Sequence, residues 1–164
     1  MAAIDNPFAV LTAVVAPAIL TNACSVLSLA TANRVARVVD QTRVISAALE
    51  DLAAGDRKHG YYTSQLARQR ERGHLLVRAL RLFYYALGAF AASALIAVVG
   101  SALTVYDFEF GFHTAAAIGL MVGATAVISL VAGCALMIRE TRLAIANMTE
   151  AAKINPGTPP DSEL

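Results

Sequence analysis

Charge is missing from three long stretches of this chain, residues 6–33, 82–106 and 114–138. About 20 apolar helical residues suffice to cross the ~30 Å hydrocarbon layer of a bilayer, and each stretch exceeds that length. The absence excludes a soluble helical bundle, which needs polar residues at every third or fourth position to wet an outer face. Residues 82–106 offer little for that purpose beyond Ser93, Ser101 and Thr104. Cysteine is nearly as scarce. Cys24 and Cys134 both fall inside charge-free stretches without histidine or acidic neighbours; that rules out a zinc site of ordinary composition and disfavours a disulfide on the cytosolic side. The hydroxyls lack the histidine and acid that would activate a nucleophile, and His59 and His74 have no ligand spacing. No catalytic residue, metal site or cofactor is expected, and the chain reads as a non-enzyme. Nucleic acid is not expected as a partner either, because Tyr61 and Tyr62 are the only stacking groups in the basic segment.

What is present fits a membrane protein. Apolar residues make up 57% of the 164 positions and charged ones 15%, against roughly 45–50% and 25% in soluble domains. The expected fold is all-α: an integral membrane protein with three transmembrane helices over 8–33, 82–106 and 114–138. All 13 Lys and Arg residues lie outside the charge-free stretches. Ten of them fall in 34–81, three follow Ile138, and none lies in 1–7 or 107–113. Basic loops stay on the cytoplasmic side, so the N-terminus is expected outside and the C-terminus in the cytoplasm. Ala30-Thr31-Ala32 resembles a signal-peptidase site, but the start lacks a basic residue and the apolar run is longer than the 7–15 residues of a leader.

Asp5-Asn6-Pro7 is a helix start, a capping side chain followed by proline in the first turn. Pro17 lies inside the first span and removes one backbone hydrogen bond. No Gly or Pro interrupts 31–54, where Val35, Val38, Thr42, Ile45, Leu49 and Leu52 recur at three- and four-residue steps. Leu66, Gln69, Gly73, Leu76, Leu80 and Phe83 repeat the spacing. The pattern predicts a basic cytosolic helical hairpin over 34–81 with a turn at Gly55–Gly60. Setting Arg34 level with Arg81 predicts arms of about 22 residues, ~33 Å long. Asp40 then falls near Arg78 or Arg72, and Arg43 near Glu71. Residues 107–113 form an outer loop whose aromatic residues suit the interface. The tail 139–164 is expected to be disordered from about residue 151, where Pro156-Gly-Thr-Pro-Pro-Asp161 follows.

Three sets of residues stand out. Ala115, Gly119 and Gly123 of the third span, and Ala89, Ser93 and Ala97 of the second, repeat small side chains every four residues. Such faces let helices approach closely, either between copies of the chain or among its own spans. Thr21, Asn22, Ser25 and Ser28 give the first span a polar side suited to interhelical hydrogen bonds or to the lining of a pore. Arg34, Arg37, Asp40, Arg43, Arg78, Arg81 and Arg139 cluster at the cytosolic boundary, where arginines anchor to headgroups and attract anionic lipid.

The run from Pro17 to Cys24, the string Asn33-Arg-Val-Ala-Arg-Val-Val-Asp40 with Arg43, then Arg78-Ala-Leu-Arg81 and Arg139-Glu140-x-Arg142-Leu143, resembles a family of small bacterial membrane proteins, domain of unknown function 2721. The likeness spans roughly residues 9–143. Gln41-Thr42 stands where the family more often has Arg-Ile, and Asn22 and Ser25 where it has Ser and Gly. The resemblance implies a multi-span bacterial membrane protein and supplies no substrate or catalytic residue.

Two functions are consistent with these features. One is a self-associating structural or interaction protein that presents the hairpin to a partner or to anionic lipid in the bilayer. The other is an oligomeric ion-conducting pore with arginines at its cytosolic mouth.

Overall fold

In the computed structural model, which describes residues 7–50, 57–104 and 109–154, the chain forms three long α-helices: α1 (Pro7–Glu50), α2 (Arg57–Thr104) and α3 (Glu109–Ile154). Side chains are described for 15–50, 59–102 and 111–145. The fold is all-α, and each helix is long and apolar enough to cross a membrane, with mean hydropathy of 1.5, 2.0 and 2.2 in turn. The outer surface agrees, because Leu120, Ile128, Leu29 and Leu95 are each more than 60% exposed. Exposure of that kind is costly in water and favourable in hydrocarbon.

α1 begins at Pro7, where the capping signal places it, and continues through Pro17 to Glu50 without a break. The expected run from first span into hairpin arm is therefore one continuous helix. α2 starts at Arg57, so Gly60 belongs to its first turn and not to a turn over 55–60; residues 51–56 lie outside the described residues. α3 carries on past the third span to Ile154. Disorder expected from 151 therefore does not apply to 151–154, and 155–164 lie outside the described residues.

α2 is the central helix, packed along α1 on one side and α3 on the other. Its buried stripe of Leu76, Ala79, Phe83, Ala86 and Phe90 recurs every three to four residues, one face of a 3.6-residue helix. In mid-span Cys24 of α1, Ala86 and Phe90 of α2 and Ala126 of α3 form one core, joined by Leu20, Leu87, Ala89 and Leu130. Toward the hairpin the Phe83 ring lies over Gly133; a Cβ built there would come within 2.5 Å of ring carbon Cε1. The glycine makes room for the aromatic ring.

The two seams of the hairpin are the partly buried faces of α1 and α2, with Val38 and Leu76 buried among half-buried neighbours. Their register differs from expectation. Gln69 donates a 3.2 Å hydrogen bond to Gln41, and a Cβ on Gly73 would sit 3.5 Å from Val38. These contacts place Arg34 level with Leu76–Val77, about one helical turn away from Arg81. From Arg57 to that level the second arm extends about 30 Å, close to the expected length. The anticipated ion pairs of Asp40 with Arg78 or Arg72, and of Arg43 with Glu71, are absent among the described residues; Arg72 bonds elsewhere.

Candidate functional site

Glu140 lies two residues beyond the last apolar residue of the third span, yet it is 2% exposed. An isolated carboxylate there would be strongly disfavoured by loss of water. Two arginines from the other helices compensate. Arg72 of α2 donates from Nη2 and Nε to Oε1 at 2.7 and 3.0 Å. Arg34 of α1 donates from Nη1 to Oε2 at 3.4 Å. The Arg72 side chain is 23% exposed and that of Arg34 50%, so the first is the tighter partner and the second remains half in solvent. One carboxylate thus ties three helices together just beyond the apolar stretches of α1 and α3. Just above it, buried Thr31 bonds to the Leu27 carbonyl and reaches within 3.7 Å of Met137 Sδ, a second contact between α1 and α3.

Of the seven expected boundary residues, the structure brings only Arg34 into this cluster. Arg37, Asp40, Arg43, Arg78, Arg81 and Arg139 are all exposed, and none forms an ion pair among the described residues. Sequence reasoning missed Glu140 and Arg72 as partners. The available signal was Glu140 itself, the one acid between residues 110 and 149, set among Arg139 and Arg142 against the end of an apolar span.

The small-residue faces meet each other within the chain. Ser93 donates a 3.0 Å hydrogen bond to the Gly119 carbonyl. A Cβ on Gly119 would lie 3.3 Å from Ile96, one on Gly123 3.4 Å from Ser93 Oγ, and one on Gly100 3.2 Å from Ala115. Ala89 joins the mid-span core and Ala97 is half-buried. Close packing of α2 on α3 uses these positions.

The polar side of the first span divides. Ser28 is buried, its hydroxyl without a hydrogen-bond partner among the described residues, and Thr21 is half-buried. Asn22 and Ser25 face outward. Thr21 and Ser25 donate to carbonyls one turn back in their own helix, those of Pro17 and Thr21, and not across helices. Among the described residues no group of three or more His, Cys, Asp or Glu side chains is arranged to hold a metal.

No curated protein and no solved structure matches the chain. A family model, described as protein of unknown function (DUF2721), matches residues 14–150, more than four-fifths of the sequence and every residue of the three-helix cluster around Glu140. With that match and its three apolar helices, the chain belongs to the DUF2721 family.

Proposed function

We propose that this protein is a non-enzymatic interaction protein of the bacterial inner membrane, and that it holds a helical hairpin at a fixed attitude on the cytoplasmic face. The observation that carries this reading is the buried Glu140 carboxylate, which joins Arg72 of the hairpin to Arg34 and to the third span. A hairpin attached by two continuous helices and braced by a third is a rigid platform for a partner protein. The outside N-terminus and cytoplasmic C-terminus rest on the distribution of the 13 basic residues.

Association between copies belongs to the same reading. Its surface is the outward side of α1, where the Asn22 amide is exposed within a span and gains a partner only from another helix. The test is the mass of the full chain in mild detergent or nanodiscs. An oligomer that dissociates on Asn22→Leu is expected, and a monomer in both media removes the assembly.

The pore reading is favoured by one observation, the outward placement of Asn22 and Ser25 on one helix. It requires ion flux in reconstituted liposomes that changes when Arg34 or Arg37 is neutralised. Silent liposomes count against it.

A further inference from the structure

The second span sits out of level with the other two. On α1 and α3 the first charges beyond the apolar stretches are Arg34 and Arg139, and the helix contacts place both beside Leu76–Val77 of α2. Arg81 lies four to five residues beyond that level, about 7 Å into the apolar layer. It is exposed, and it makes no ion pair among the described residues. An uncompensated cation at that depth is costly and calls for a partner.

The surroundings define that partner. Val77, Leu80, Arg81, Tyr84 and Tyr85 line an open groove of about 410 Å³ on the side of α2 turned away from the helix contacts. Tyr84 and Tyr85 are 55% and 66% exposed. Side chains lean toward the N-terminus of their helix, so the Arg81 guanidinium on its long stem reaches back toward the interface, while Tyr84 and Tyr85 lie one turn deeper beside it. One turn further into the layer, Gly88 has nothing within 4 Å of where a Cβ would stand; with exposed Ala91 and Ala92 it leaves a shallow track for a hydrocarbon chain.

We infer that this groove binds one anionic phospholipid of the Arg34–Arg139 leaflet, its phosphate on Arg81 and an acyl chain laid past Tyr84 and Tyr85 and over Gly88. A charge-assisted bond from guanidinium to phosphate is the strong form of this contact. A second copy is the poorer occupant, because Arg81 lies on this face, exposed Arg78 stands one turn before it, and like charges of two copies would repel. The inference deepens the expected attraction to anionic lipid. It rests on the membrane reading and stands apart from the hairpin's role and from the side on which the termini lie.

The test is native mass spectrometry of the full chain in mild detergent, titrated with dioleoyl phosphatidylglycerol or dioleoyl phosphatidylcholine. Wild type should retain one phosphatidylglycerol at about one-tenth the concentration needed for phosphatidylcholine. Arg81→Gln should abolish that preference, while Arg139→Gln should keep it. Equal retention of the two lipids by wild type overturns the inference, as does an unchanged Arg81→Gln or an equal loss in Arg139→Gln. Should Arg81→Gln lose its helical circular dichroism, Gly88→Leu takes its place. Loss of the retained lipid with helicity intact supports the site, and undiminished retention overturns it. A dimer whose groove holds the second copy and no lipid overturns it too. Because lipid retention is read on the particle itself, it can fail while the topology and assembly tests succeed, or the reverse.

Discussion

At Glu140 a single carboxylate is stripped of water and held by two arginines of unequal accessibility. Removing the better-buried partner leaves the buried carboxylate with only the longer contact to half-exposed Arg34, and breaking a buried pair costs about 3–5 kcal/mol. Arg72→Ala is therefore expected to destabilise the fold by about 3 kcal/mol in reversible detergent unfolding. Arg34→Ala should cost under about 1 kcal/mol, since half-exposed pairs contribute little. Equal losses would mean that the exposed arginine holds the carboxylate as firmly as the buried one. Gly133 makes a second prediction at this scale. Its missing Cβ is where the Phe83 ring sits, and overpacking of this kind costs about 1–3 kcal/mol. Gly133→Ala should lower the thermal midpoint, and Phe83→Leu in the same chain should restore part of it. Neither residue's role was legible in the sequence. Arg139, Glu140 and Arg142 read alike as a charged flank, and only the packing shows that Glu140 alone turns inward. The same holds for Thr21 and Ser25, which read as interhelical donors but bond within their own helix.

For the helices, much was legible. Three charge-free stretches mark three apolar helices, and the unbroken three- and four-residue spacing from Val35 onward marks α1 as one rod running into the hairpin. Register was not legible, for a physical reason. Matching Arg34 with Arg81 assumes that every span begins its charges at one level, and α2 is shifted by about a turn so that glycines and Ser93 can seat against α3. Side-chain fit between helices set the offset, and hydropathy carries no record of it. Disulfide trapping tests the result in a chain with Cys24→Ser and Cys134→Ser. The pair Val38→Cys with Gly73→Cys should oxidise readily, because a Cβ on Gly73 stands 3.5 Å from Val38 Cγ1, one of the positions a cysteine sulfur can take. Arg34→Cys with Arg81→Cys should remain reduced. The opposite outcome would set Arg34 level with Arg81 after all.

As a whole the molecule is a three-helix unit with α2 at its centre, and its outer surface is lined by side chains such as Leu120 and Ile128 that favour hydrocarbon. A fluorescent reporter fused behind Leu164 should light up in the cytoplasm, and a periplasmic phosphatase fused there should stay inactive. The reverse pattern would turn the molecule over and move the hairpin to the other side. The small-residue stripes illustrate what sequence leaves open at this scale. Spacing shows that a close contact exists, and the two candidates for it were a second copy and a neighbouring span. Packing of Gly119 on Ile96 and Gly123 on Ser93 places that contact inside one chain.

The order of synthesis gives Glu140 one more consequence. Arg72 leaves the ribosome 68 positions ahead of its acceptor, and Arg34 106 positions ahead. At about 5–20 residues per second, the newborn α1–α2 pair waits several seconds for the carboxylate that engages both. Neutralisation of those two cations is thus a late event of biogenesis, and a product cut short before α3 keeps them bare.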